Sequence, residues 1–369
     1  LKTLAVDGTP TQRKKLLTSI KEFDVVITSY SLLQKDIEFY NTVNFGYCIL
    51  DEAQHIKNRG TRNAKSVKMI KAVHRLILTG TPIENSLDEL WSLFDFLMPG
   101  LLSSYERFVE KYIRHPSQPA GSQLEVLRRK VSPFILRRMK QDVLSELPPV
   151  SEIVYHCHLS ETQRNLYHSY AASAREELSK LVKRVGFEKV QLHVLATLTR
   201  LKQICCHPAI FAKENPEFGD SAKYDMLMEL LQNLMEGKHK TVIFSQYTRM
   251  LNIMREDLQK QGIPFEYLDG TSKNRLNIVK KFNEDHNIPV FLVSLKAGGT
   301  GLNLVGADKV IHYDMWWNPA VENQATDRVH RIGQKNAVSA YKLVTLNTIE
   351  EKIMDLQNRK KGLVKKVVS

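Results

Sequence analysis

A chain of 369 residues, 43% of them hydrophobic, is long enough for two or three domains with ordinary cores, and no apolar run approaches the ~20 residues of a membrane span. Lysine and arginine number 53 against 40 acids, a net charge of +13, which suits a polyanionic partner, nucleic acid first among them. Four cysteines in so long a chain make no disulfide framework and point to a reducing compartment; His156, Cys157, His158, Cys205, Cys206 and His207 lack the paired spacing of zinc sites and are expected to pack as core.

Strand and helix alternate from the start. Asp24–Tyr30 reads as a buried strand ending in small hydroxyls, Ser31–Phe39 as a helix, and Tyr47–Leu50 as a strand buried on both faces that stops at Asp51 and Glu52. Thr61–Ala72 reads as a helix and Arg75–Thr79 as a third buried strand, leading into Gly80-Thr81-Pro82. Parallel strands joined by helices place their ligand crevice at the carboxyl ends, so Asp51 and Glu52 would face a ligand, where paired carboxylates suit Mg²⁺ and an attacking water; the alternative is a solvated acid pair of the kind strand ends often carry. After Pro82 the spacing turns helical over Asp88–Leu97, further helices run to about Lys130, and Leu147-Pro148-Pro149 marks a linker.

A second alternation follows. Glu152–His158 reads as a strand, Ser160 with Gln163 as a capping box opening a helix striped by Leu166, Tyr170, Ala174, Leu178 and Leu181, and Gln191–Cys206 as its helical neighbour. Strands are expected at Thr241–Ser245, Phe265–Leu268, Val290–Ser294, Lys309–Tyr313 and Ala340–Val344. The stretch Ser294–Asn303 is a glycine-rich turn able to form an anion nest, and Gln324–Gln334 carries Arg328 and Arg331, whose spacing on a helix would put both guanidiniums on one face. Ile349–Val367 reads as a basic helix bearing Arg359, Lys360, Lys361, Lys365 and Lys366.

The ordered set Asp51-Glu52-Ala53-Gln54-His55, Thr79-Gly80-Thr81-Pro82, Lys296–Leu304, Trp317-Asn318-Pro319 and Asp327–Gln334 closely resembles superfamily 2 helicase-like ATPases of the Swi/Snf type, nearly end to end. The resemblance implies an α/β fold of two RecA-like parallel-sheet lobes with helical insertions and a C-terminal brace helix. The expected parts are a first lobe over 1–85, helical insertion and linker over 86–150, insertion of the second lobe over 151–223, second lobe over 224–345 and brace over 346–369. It implies ATP and Mg²⁺ as ligands, with Asp51 on the metal, Glu52 activating water, Arg328 and Arg331 as arginine fingers, and Gln324 and Gly301 lining the nucleotide cleft. Along double-stranded DNA it implies contacts from Thr28, Ser29, Tyr30, Ser245, Gln246, Lys296, Gly298, Gly299 and Trp317, with Thr79 and Thr81 coupling the two sites.

One departure stands against these matches. No glycine is followed by Lys-Ser or Lys-Thr, so the family's phosphate-cradling loop is absent from these residues, and the chain does not begin with methionine. The expectation is the carboxyl-terminal portion of a longer ATPase, its first lobe incomplete. The implied activity is that of a motor stepping along duplex DNA and remodelling protein–DNA complexes, in the nucleoid of a prokaryote or the nucleus of a eukaryote. The alternatives are a strand-separating helicase and, for these residues alone, a non-catalytic nucleic-acid-binding module.

Overall fold

The computed structural model describes residues 1–80, 86–114, 120–138, 147–212, 220–298 and 301–368, without the side chains at 120–122, 296, 298 and 359–368. The chain divides into two compact units, one built on Leu1–Arg137 and the other on Arg138–Lys361. Among the described residues no helix is long and apolar enough to cross a membrane.

In the first unit β1 (Thr3–Ala5) pairs in parallel with β2 (Val25–Ile27), and β3 (Asn44–Leu50) pairs in parallel with β4 (Lys71–Ile77). Helices Pro10–Thr18, Tyr30–Tyr40 and Arg62–Met69 run between them, each started by a hydroxyl at its N-cap: Thr9 accepts from the Gln12 N–H, Ser29 from Leu32 and Thr61 from Ala64. Leu4, Leu33, Cys48, Leu50, Ala64 and Val67 form the core. The expectation of strands buried on both faces is not met here. Tyr47 is 66% exposed, Ile49 56% and Val73 78%, because side chains alternate across a strand and only one face of β3 and β4 meets the helices. The helix expected to reach Ala72 ends at Met69; Ile70 is already extended and Lys71 opens β4. Helix Leu87–Leu97 buries Leu93 and Phe96 against this core and turns Leu90, Trp91 and Phe94 to a second cluster with Leu102, Phe108, Leu127 and Val131.

The second unit is built on a six-stranded parallel sheet in the order β5 (Val150–Cys157), β10 (Val338–Thr345), β9 (Lys309–His312), β6 (Thr241–Ser245), β8 (Val290–Ser294), β7 (Phe265–Leu268). Its central strands are buried at every residue, which is why β6 and β8 carry the apolar runs Val242–Phe244 and Val290–Val293. Apolar clusters cover both faces, one around Val242, Phe244, Phe282 and Phe291, the other around Ile243, Met250, Leu251 and Tyr313. Glu161–Val185, started by the Ser160–Gln163 capping box, and Phe187–Cys206 form a helical hairpin about Gly186, whose φ of 84° favours glycine. Polar contacts join the two helices of the hairpin, the hairpin to the residue after β9, and two further helices to each other. Gln163 donates to the Ile204 carbonyl (3.0 Å), Tyr313 Oη to the Cys206 carbonyl (2.6 Å), and Lys223 pairs with Glu350 at the start of helix Ile349–Val368. Cys205 and Cys206 are wholly buried, and burial pushes both thiols up.

Candidate functional site

In the first unit β3 delivers Asp51 and Glu52 to its carboxyl end, and the turn there is fixed by backbone. The Leu78 N–H donates to the Leu50 carbonyl (2.8 Å) and the Ala53 N–H to the Leu78 carbonyl (3.2 Å). Asp51 is exposed, one oxygen accepting the Glu52 N–H (2.9 Å); Glu52 takes a left-handed backbone (φ 50°) and its carboxylate accepts from the Gln54 amide (2.8 Å). Thr79 Oγ1 reaches the other end of that amide (3.4 Å), so the expected coupling residue is joined to Glu52 through Gln54. Below, the buried Ser92 hydroxyl donates to the Ile56 carbonyl (2.7 Å), which supports the acidic turn from helix Leu87–Leu97.

The expected DNA-facing segment of this unit has its hydroxyls taken up locally. Thr28 Oγ1 donates to the Val6 carbonyl (3.4 Å), exposed Ser29 caps its helix, and Tyr30 Oη donates to the Asp51 carbonyl (2.8 Å) with its ring 5.2 Å from that of His55. Tyr30 therefore braces the acidic turn. Burial, then the nearby Asp51, pushes its phenol well up, so it stays a donor. Thr81 lies outside the described residues.

In the second unit the residues gather at the carboxyl edge of the sheet. Ser245 ends β6, is wholly buried and gives its hydroxyl to Asp314; the Gln246 amide donates to Asp314 (2.7 Å) and to the Met315 carbonyl (3.3 Å). As placed, the Ser245 side chain has no surface to offer DNA, and Gln246 is committed to the same carboxylate. Burial raises the Asp314 carboxyl above its ordinary range against the pull of Lys202 and these hydrogen bonds. Lys202, buried, sits with Nζ 5.4 Å from the ring of half-buried Trp317. Lys296 and Gly298 lie in the turn Leu295–Gly298 directly after β8, Gly299 lies outside the described residues, and Gly301 has φ 56°.

Helix Pro319–Val329 carries Gln324, half-buried, and Arg328, 9% exposed. The helix stops at Val329, so Arg331 lies beyond its end and is exposed; the expectation of two guanidiniums on one helical face fails at that C-terminus. Gln334 is a lock that sequence reasoning treated only as signature: its buried amide donates to the carbonyls of Ala307 (2.7 Å), Val329 (3.1 Å) and Val305 (3.3 Å). Asp314 and Glu322 were also missed. Asp314 follows the expected strand Lys309–Tyr313 as Asp51 follows Tyr47–Leu50, a position that could have drawn notice to both. Among the described residues no group of three or more histidines, cysteines or acids could hold a metal by itself.

A profile of the SNF2-related domain matches residues 1–210, and one of the helicase conserved C-terminal domain matches residues 222–333. The chain belongs to the SNF2-related family. The yeast Saccharomyces cerevisiae TATA-binding protein-associated factor MOT1 is 36% identical over the whole of this SNF2-related chain, which spans 23% of the yeast protein. The putative ATP-dependent helicase/translocase YwqA of Bacillus subtilis is 40% identical over 94% of the chain, which spans 38% of it. Among solved structures the Sulfolobus solfataricus SWI2/SNF2 ATPase core domain is 35% identical with a TM-score of 0.50, covering all of this chain and 75% of that one. The α/β architecture and the parallel sheet of the second unit are those of the SNF2-related fold.

Proposed function

We propose that this chain is part of an ATP-dependent motor that translocates along double-stranded DNA and remodels protein–DNA complexes. The observation that carries the reading is the turn at Asp51 and Glu52, held open at a strand's carboxyl end with Glu52 tied through Gln54 to Thr79. Exposed Asp51 would hold Mg²⁺ through a hard carboxylate oxygen, and the ion would offset the charge of the ATP phosphates. Glu52 orients the attacking water and accepts its proton. Arg328 and Arg331 act on the charge that develops at the phosphoryl group, with Gln324 and Gly301 beside the nucleotide. Lys296, Gly298, Gly299, Trp317, Thr28 and Ser29 contact the DNA backbone, while Tyr30, Ser245 and Gln246 hold the segments that do. Thr79 and Thr81 couple the two sites.

Support for duplex DNA comes from the net charge of +13 and from relatives named as helicases and translocases. Contacts to phosphates carry no sequence information, so binding is non-specific. The name of the MOT1 relative points to a DNA-bound protein as the class of substrate. In the full-length protein Glu52→Gln is expected to keep ATP affinity within about twofold and to lower DNA-stimulated phosphate release roughly 10²- to 10⁴-fold, the range of a lost general base. Hydrolysis at the parental rate would remove Glu52 from its role. Displacement of a labelled strand by the full-length protein would favour a strand-separating helicase instead.

A further inference from the structure

Glu322 is wholly buried, in the first turn of helix Pro319–Val329, and its partners come from three other places in the second unit. One oxygen accepts the backbone N–H of Trp316 (2.8 Å) and the side-chain amide of Gln357 (2.9 Å); the other faces Lys342 Nζ of β10 at 3.4 Å. Gln357, in helix Ile349–Val368 and 2% exposed, donates also to the Trp316 carbonyl (2.5 Å). Both polar groups of the Trp316 backbone are thus held by this pair. Lys342 is shared with Glu152 (3.3 Å) on the edge strand β5.

A helix start needs no more than a surface side chain to satisfy its first N–H groups, and Asn318 already accepts from the Ala320 N–H (3.1 Å). A buried carboxylate costs several kcal/mol in desolvation unless well partnered, so a Glu322 that only capped the helix would be an expensive device. Its position explains it better. It sits six residues before Arg328 on one helix and binds the residue next to Trp317. The segment read as touching DNA and the helix read as facing nucleotide are therefore joined through one side chain.

We propose that Glu322 is a positioning residue that makes the Trp316–Trp317 segment and the helix bearing Gln324 and Arg328 move as one body, with Gln357 of the terminal helix as its second anchor. The proposal rests on the motor reading given above. Sliding the helix past Trp316 would break a hydrogen bond to a buried carboxylate, and such a bond favours the joined state by roughly tenfold to hundredfold. DNA engagement at Trp317 is then felt at Arg328 without any contact between the two.

The test is steady-state ATP hydrolysis by the full-length protein with and without duplex DNA. Gln357→Leu removes the second anchor and leaves the ion pair; the double variant Glu322→Ala with Lys342→Met removes the joint without stranding a buried lysine. For each, the ratio of DNA-stimulated to basal rate is expected to fall at least about fivefold, while Kd for duplex DNA and for a non-hydrolysable ATP analogue stay within about twofold. A merely packing role would lower Tm and scale both rates together, leaving the ratio intact, and an unchanged ratio in Gln357→Leu overturns the proposal. Should the double variant fail to fold, Gln357→Leu decides alone. A parent protein whose hydrolysis is not stimulated by DNA overturns the motor reading itself, a result distinct from a stimulated parent with an equally stimulated variant.

Discussion

Glu52 occupies the left-handed region at φ 50°, where a side chain costs about 1 kcal/mol relative to the right-handed helix. The cost is offset by the bonds that fix the turn, and its effect is to swing the carboxylate away from the line of β3 onto Gln54. Asp51 and Glu52 stood out in the sequence not as an acid pair, which strand ends often carry, but as the first of an ordered set of motifs. His312 gave no such signal, being one histidine in an apolar strand, yet it is wholly buried, stacked on Phe244 (5.8 Å) and bonded through Nε2 to Thr326 Oγ1 (2.9 Å). Burial lowers it to about 4, with Glu322 pulling the other way. Between that value and the ordinary 6.5 the unfolded chain binds a proton that the native protein refuses. Stability is therefore full above pH 6.5 and lost as pH falls toward 4, by about 2 kcal/mol at pH 5. Urea unfolding at pH 7.5 and 5 should show that loss, and His312→Phe should flatten it. An equal slope in both proteins would mean that another group carries the pH dependence.

At the scale of elements, the strands of the second unit were legible almost residue by residue: Thr241–Ser245, Phe265–Leu268 and Val290–Ser294 are as expected. Burial on both faces writes itself into the sequence as a continuous apolar run. The runs in β3 and β4 look the same, but one face stays exposed, since a sequence records the residue and not what covers it. β1 is three residues long, too short to show a period. The end of helix Pro319–Val329 was equally hidden, because nothing in Val329-His330-Arg331 breaks a helix by type. His330 leaves it through its ring nitrogen, which meets the Pro148 carbonyl (2.8 Å), and Arg331 is carried out to solvent. An exposed arginine beyond a helix end is free to reorient, which suits a finger. In the full-length protein Arg331→Ala is expected to lower turnover roughly 10³-fold or more with DNA affinity little changed, and Arg331→Lys to rescue poorly, because an ammonium cannot reproduce a planar fork. Parallel losses of DNA binding and hydrolysis would reassign Arg331 to the DNA backbone.

For the molecule as a whole, the order of motifs identified the family, whereas the buried joints at Asp314, Glu322 and Gln334 became visible only once strands and helices had been placed. The chain spans 23% to 38% of the relatives named above, so their activities belong to longer proteins. These 369 residues can be tested by themselves, and hydrolysis is the decisive measurement. In enzymes of this chemistry the phosphates are cradled by backbone N–H groups of a glycine-rich loop and by its lysine, and Mg²⁺ by the loop's hydroxyl together with the acid after the strand. Of that set only Asp51 can be named here, since no glycine is followed by Lys-Ser or Lys-Thr. On the proposed roles, Glu52 without the cradle would have no positioned water and the arginines would have no phosphate to meet. DNA binding needs none of these groups: with a net charge of +13 it should persist, weak and with little sequence preference, and fall steeply with salt as counterions are released. The two properties should therefore separate in one preparation. With ATP, Mg²⁺ and duplex DNA present, phosphate release should stay at the background set by Glu52→Gln while DNA is bound at low salt. Release above that background, stimulated by DNA, would mean that another segment of these residues cradles the phosphates.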